Sequence, residues 1–280
     1  MDYLEFYNLT EYPFSNAVDS KFFYNSKQQA EAIIRVKYAI DTMKGLAVVI
    51  GDIGTGKTTL ARRILDELSE DKYEAALLVI LHSSVTADWI AKKIATQIGV
   101  KELANTRVEM LGQIYRRLIA IHEKGLKTAV IIDEAQMLKS KEIMEEFRGL
   151  LNMEAGGGKL ITFVLFGPPE LDEILSLDEP LKQRIAVKYR MRAFEADVTK
   201  EYIHHRLKIA GCTTGIFQPD SIQAINQYSH GVPRIINTVC DNALLEGYLT
   251  TKEKIDRDII ESVVMGLGLD SEEKQSSEEN

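Results

Sequence analysis

Cysteine is nearly absent: Cys212 and Cys240 are the only two in 280 residues. That is too few for a disulfide scaffold and points to a reducing compartment. Basic charge is in deficit, with 34 Lys and Arg against 42 Asp and Glu and a formal net charge of −8. A generally basic nucleic-acid coat is excluded, though a local basic patch is not. No uninterrupted apolar run approaches the ~20 residues of a membrane-crossing helix. The opening Met1-Asp-Tyr-Leu-Glu-Phe-Tyr7 has neither the basic nor the apolar region of a signal peptide, so a cytoplasmic chain is expected. The rest is ordinary for a globular protein, at 45% hydrophobic and 27% charged. The length allows one large domain or two smaller ones, each with its own core.

The most telling segment is Gly51, Asp52, Ile53, Gly54, Thr55, Gly56, Lys57, Thr58. It fits G-x-x-x-x-G-K-[ST], whose four fixed positions coincide by chance in roughly one chain in a hundred of this length. The context is the one the motif requires. Leu46–Ile50 reads as a buried strand, and Thr59 to Leu68 reads as a helix. Glycines there let backbone N–H groups curl around phosphate oxygens, and the helix N-terminus adds partial positive charge. Lys57 is expected to reach the β- and γ-phosphates, the Thr58 hydroxyl to ligate Mg²⁺, and Thr59 to line the same cradle.

Residues 1–25 form an aromatic arm: Tyr3, Phe6, Tyr7, Tyr12, Phe14, Phe22, Phe23 and Tyr24. So many rings cannot all be solvated, so the arm is expected to pack onto the body, otherwise irregular. A helix follows, with Ala32, Ile33, Val36, Ala39, Ile40 and Met43 on one face. Further strands are predicted at Ala75–Leu81, Thr128–Ile132, Leu160–Phe166 and Ala186–Met191. Helices are predicted near Ala87–Ile98, Arg107–Glu123 and Lys141–Asn152, with a flexible turn at Gly156–Gly158. Alternating strands and helices over 26–195 mean an α/β fold, a parallel sheet with helices on both faces. From 196 to 268 the pattern is helical alone (Val198–Ala210, Asp220–Tyr228, Val232–Tyr248, Arg257–Met265), a small lid-sized domain. Residues 269–280 are polar and acidic, expected as a disordered tail.

Ala129-Val-Ile-Ile-Asp133-Glu134 is an apolar strand delivering two carboxylates, the form of a Walker B element. Asp133 is expected to hold the Mg²⁺ shell and Glu134 to polarise the attacking water as general base. The plainer alternative is a strand followed by an acidic helix cap. Hydrolysis also needs positive charge at the γ-phosphate, usually from arginine. Arg184, in Leu181-Lys-Gln-Arg-Ile185, stands where a neighbouring subunit's nucleotide would be in reach. Arg234, in Gly231-Val-Pro-Arg234, opens a helix that could fold back over the phosphates. For each, a solvated surface arginine is the competing reading.

Taken together, the phosphate loop, the Asp-Glu strand, Gln183-Arg-Ile185 and Gly231-Val-Pro-Arg234 resemble an AAA+ ATPase. Tyr3-Leu-Glu-Phe-Tyr7, Pro13-Phe-Ser15, Ile132-Asp-Glu-Ala-Gln136 and Val232-Pro-Arg-Ile-Ile-Asn237 narrow this further. They resemble the general secretion pathway protein A (ExeA-like) family, over about residues 1–265. The resemblance implies ATP and Mg²⁺ as ligands, with Lys57 and Thr58 as Walker A and Asp133 and Glu134 as Walker B. It implies Arg184 as an arginine finger acting in trans, Arg234 as the sensor 2 arginine, and Pro13, Phe14 and Tyr24 near the adenine. ATP would then sit between subunits of a homo-oligomeric ring or filament. One departure is Gly167-Pro-Pro-Glu-Leu171, where the family's Gln gives way to Pro168. Sensor 1 then lies elsewhere, with Thr162 a candidate, or sensing is weaker. Full-length secretion members carry a membrane span and a periplasmic part that this chain lacks; it is expected to be a standalone relative or an excised domain.

Three functions compete. The first is an ATPase powering or regulating assembly of a cell-envelope export machine through membrane-associated secretion or pilus partners. The second is a DNA-associated transposition-helper ATPase of the TniB or Mu B kind, kept open by Lys92-Lys93 and Arg116-Arg117; Arg62-Arg63 could instead serve a subunit contact. The third is a non-hydrolysing nucleotide switch. His204-His205 has no partner at metal spacing and reads as a surface pair, Trp89 as core or interface, and Cys212 as structural. The export reading predicts no retarded complex in a DNA gel shift with ATP at low salt. A salt-sensitive shift would favour the transposition reading instead.

Overall fold

The computed structural model describes residues 2–212 and 214–269. All but the first residue of the expected acidic tail lie outside them. In chain order the first elements are α1 (Tyr3–Phe6), α2 (Lys27–Asp41), β1 (Leu46–Gly51), α3 (Lys57–Asp66) and β2 (Tyr73–Val79). Next come α4 (Ala87–Gln97), α5 (Arg107–Glu123), β3 (Lys127–Asp133) and α6 (Lys141–Leu150). A two-stranded hairpin, β4 (Glu154–Ala155) and β5 (Gly158–Lys159), precedes β6 (Thr162–Gly167). Then follow α7 (Leu171–Leu175), α8 (Glu179–Lys182) and β7 (Ile185–Met191). The chain closes with α9 (Ala196–Ile209), α10 (Pro219–Ser229), α11 (Pro233–Leu249) and α12 (Arg257–Leu267).

The chain divides into two compact units. One comprises Lys27–Ile53 and Lys57–Met191 and holds a five-stranded sheet of order β2-β3-β6-β1-β7, every pairing parallel. Every residue of β1 and β6 is buried, as a parallel strand covered on both faces requires. At the edge, β7 alternates half-buried and exposed residues up to a buried Met191. The core runs from Val48, Ile50, Ile132 and Leu165 into Ile90 and Ile94 of α4, Leu118 of α5 and Phe147 of α6. Phe147 meets Phe163 edge-on at 4.9 Å between centroids. Threonine and serine start the helices: Thr86 accepts from the Trp89 amide, Thr106 from Glu109 and Ser140 from Ile143.

Several boundaries differ from the sequence reading. The second strand begins and ends two residues early, because its register follows β3, Tyr73 pairing with Lys127 and Val79 with Asp133. The helix after the phosphate loop begins at Lys57 rather than Thr59. The Gly156–Gly158 turn is the tip of the β4–β5 hairpin, Gly156 and Gly157 both at positive φ.

The other unit comprises residues up to Ser26, Gly54–Gly56 and those from Arg192 onward. Its core joins the aromatic arm to the terminal helices: Tyr3, Tyr7, Phe14 and Phe22 cluster with Tyr202, Ile225, Ile236 and Leu244. The arm is not wholly irregular, since it carries α1 and a single 3₁₀ turn at Ser20–Phe22. Arg206, only 6% exposed, ties it down. Its guanidinium donates to the Pro13 carbonyl, to the Ser15 carbonyl at 3.0 Å and to the Tyr202 hydroxyl at 2.9 Å. It also stacks over Phe22 at 4.8 Å. Tyr202 donates in turn to Asn237 Oδ1 at 2.8 Å. Gly231 is irreplaceable here, for at φ 70° a Cβ would lie 1.8 Å from the Phe194 carbonyl oxygen.

Replacing Arg206 with Met keeps apolar bulk against Phe22 but removes the cation–π contact and orphans two carbonyls. The expected cost is about 2–6 kcal/mol, since each acceptor left unpaired costs about 1–3. Chemical denaturation checks the loss, and limited proteolysis should cut first within residues 2–26.

Candidate nucleotide site

Because all five strands run parallel, the turns after β1, β3 and β6 share one edge of the sheet. β6 lies between β1 and β3, with Ile50 paired to Gly167 and Ile132 to Leu165. The turn after β1 is the phosphate loop. Gly54 and Gly56 take φ of 83° and 92°, a backbone only glycine adopts without strain. Thr55 is fully buried, while Ile53 is 74% exposed. Lys57 is buried, its ammonium donating to the carbonyls of Gly51 at 2.7 Å and Asp52 at 2.9 Å. Burial holds that ammonium below the usual lysine range, opposed by the charges of Glu134, Asp133, Asp52 and Glu170. A buried cation satisfied, among the described residues, by two loop carbonyls suits an anionic ligand.

The Thr58 hydroxyl donates to Asp133 Oδ2 at 2.6 Å, and the Glu134 amide donates to Oδ1 at 3.0 Å. Asp133 is 1% exposed. Burial pushes its carboxyl above the ordinary range, and the Thr58 and Glu134 hydrogen bonds pull it back. A hydroxyl and a carboxylate in contact form a hard oxygen pair, which fits Mg²⁺ completed by phosphate and water. Among the described residues no cluster of three or more His, Cys, Asp or Glu offers an alternative metal site.

Glu134 itself is left-handed, at φ 56° and ψ 38°. That conformation costs a residue with a Cβ about 1–3 kcal/mol and is commonest at functional sites. The Gln136 amide nitrogen donates to Glu134 Oε2 at 2.5 Å. Gln136 was visible within Ile132-Asp-Glu-Ala-Gln136, but nothing in the sequence order alone marked it as touching Glu134.

Arg184 is half-buried, its guanidinium donating to Asn152 Oδ1 at 2.5 Å and to the Arg148 carbonyl at 3.4 Å. Arg234 is exposed at the start of α11, and its amide donates to the Gly54 carbonyl at 3.3 Å inside the helical unit. Phe14 is 1% exposed and meets Phe217 edge-on, so its ring is spent on the core rather than offered to a base. The alternative sensor, Thr162, is ruled out. It opens β6, pairs with Ala129 and is fully buried beside Met43 Sδ. Five residues of strand place it about 16 Å from the Gly167 end.

This sheet order, phosphate loop and acidic pair define a P-loop nucleoside triphosphatase fold of the AAA+ class, and residues 40–175 match the AAA domain family model. General secretion pathway protein A of Aeromonas hydrophila is 32% identical over 256 residues, 90% of this chain and 46% of that protein. The chain is similar to general secretion pathway protein A over nearly its whole length, and spans less than half that relative's length. Among solved structures, the Aeropyrum pernix ORC2 protein in its ADP form has a TM-score of 0.67 at 18% identity, covering 90% of this chain and 71% of that one. The Thermotoga maritima RuvB Holliday junction branch migration motor has a TM-score of 0.60 at 17% identity, covering 92% and 74%. At such identities the likeness is one of fold. No helix among the described residues is long and apolar enough to cross a membrane.

The two perturbed groups set a pH window for ligand binding. A cation at Asp133 favours its ionised form, so binding releases a proton and weakens as pH falls through the raised Asp133 range. Phosphate at Lys57 favours the ammonium, so binding takes up a proton and weakens as pH rises through the lowered Lys57 range. Calorimetry with Mg²⁺ and a non-hydrolysable ATP analogue, in buffers of different ionisation enthalpy, should show proton release on the acid side. Asp133→Asn should abolish it.

Proposed function

We propose that this chain is a Mg²⁺-dependent ATPase that assembles as a ring or filament with ATP between subunits. The observation carrying the reading is the 2.6 Å contact between Thr58 and Asp133, beside a buried Lys57 and a second carboxylate, Glu134. Lys57 would exchange its two loop carbonyls for phosphate oxygens, leaving its charge in place and its hydrogen bonds replaced. Thr58 and Asp133 would hold Mg²⁺, which when bound offsets the negative charge of the β- and γ-phosphates. Glu134 would accept the proton of the attacking water. Backbone N–H groups of Gly54, Thr55, Gly56 and Lys57 would cradle the phosphates, with Thr59 behind them at the helix start.

Arg184 is proposed as the finger that a neighbouring subunit inserts, and its half-buried mooring on Asn152 supports a presented rather than a free-swinging guanidinium. Arg234 is proposed as the arginine that closes over the phosphates. The name of the Aeromonas hydrophila relative, general secretion pathway protein A, supports a role at a cell-envelope export machine; membrane-associated partners and a cytoplasmic site of action are proposed with it.

Lys57→Ala should abolish ATP binding. Glu134→Gln should keep binding while phosphate release falls by about 10²-fold or more. Arg184→Ala should fall similarly, yet a 1:1 mixture of the Arg184→Ala and Glu134→Gln proteins should regain activity. Recovery should approach roughly a quarter of wild type, the share of head-to-tail interfaces that pair an intact Glu134 with an intact Arg184. No recovery would mean that Arg184 does not act across subunits. Unchanged turnover in Glu134→Gln would leave a nucleotide switch without hydrolysis.

A further inference from the structure

Pro168 has no side-chain donor at the end of β6, the strand that separates the phosphate loop from the Walker B strand. A polar side chain from another element reaches the same strand end. Gln136 lies in the 3₁₀ turn Ala135–Met137, directly after the left-handed Glu134. Its Nε2 donates to Glu134 Oε2, while its Oε1 is buried and has no hydrogen-bond partner among the described residues. The amide cannot be reversed, because two oxygens would then face each other at 2.5 Å. That orphaned oxygen sits against Gly167: a Cβ on Gly167 would be 3.1 Å from it and 3.0 Å from Leu171 Cδ2. Buried acceptors are almost always satisfied, by protein or by water. An unpaired carbonyl beside the general base, at the strand end between the two halves of the site, is placed to accept from a water that Glu134 also contacts.

We infer that Gln136 is a positioning residue for hydrolysis, aiming the Glu134 carboxylate with its amide nitrogen and offering Oε1 as an acceptor beside Gly167. The inference rests on the hydrolytic reading above. The Gln136 amide nitrogen is spent on Glu134, so its effect passes through that carboxylate and the water it would hold. It therefore belongs to the catalytic step rather than to nucleotide affinity. Gly167 is part of the same device, since any side chain there crowds the Gln136 carbonyl.

The test is steady-state ATP turnover by the full chain. Gln136→Met, which keeps length and packing but removes both polar atoms, should lower kcat by about 10- to 100-fold, the worth of a hydrogen bond to a charged group. KM for ATP should change by no more than about threefold, because phosphate contacts are untouched. In a Glu134→Gln background the same substitution should slow single-turnover hydrolysis no further. Gly167→Ala, which leaves Gln136 in place, should reproduce the kcat loss and keeps the inference testable if Gln136→Met does not fold. A kcat within twofold of wild type for a folded Gln136→Met, or a rise in KM alone, would overturn it. A wild type that binds ATP but never releases phosphate would overturn the hydrolytic reading together with this inference. Retained turnover in Gln136→Met overturns the inference alone.

Discussion

Everything at the site depends on the parallel ladder β1–β6–β3. Because the three strands run the same way, their C-terminal turns emerge at one edge, and residues far apart in sequence come within hydrogen-bond distance there. Thr58 follows β1 and Asp133 ends β3, yet they touch at 2.6 Å with a whole strand between their parent strands. An antiparallel arrangement of the same strands would send one of these turns to the opposite edge. The complete burial of β1 and β6 pins the register, since in a covered parallel sheet a slip would misalign every apolar contact on both faces.

That ladder delivers charges into a poorly solvated place. Lys57 and Asp133 are both buried, and burial acts against the charged form of each. Neither finds a full ion-pair partner among the described residues. The loop carbonyls and the Thr58 hydroxyl are substitutes: dipoles where the ligand would bring charge. The strained Glu134 belongs to the same economy. A left-handed residue with a Cβ persists only where the surroundings over-determine it, and here the Asp133 carboxylate and the Gln136 amide both hold it.

Legibility from sequence followed the range of the interaction. The phosphate loop was readable because its chemistry is local: glycine at positive φ, then lysine and threonine at a helix start. The Asp133-Glu134 pair was readable because an apolar run delivers it. Thr162 was misread because residue type says nothing about which end of a strand a hydroxyl occupies. Its place follows from pairing with Ala129. Asn152 carried no signal, and Gln136, though inside Ile132–Gln136, gave no sign of its contact with Glu134, since an amide becomes informative only once its partner is known. The aromatic arm was expected to pack, but its destination depended on a buried Arg206 some two hundred residues away in the chain.

The sequence by itself determined the order of strands and helices and the motifs from which a phosphate and metal site is proposed, because spacing and residue type encode those within a few residues. The tertiary structure alone decided the strand order, the pairing of Gln136 with Glu134, the mooring of Arg184 on Asn152 and the joining of the arm to the terminal helices. Those are contacts between distant segments. They exist only when burial of the sheet and of the helical core has already brought the segments together.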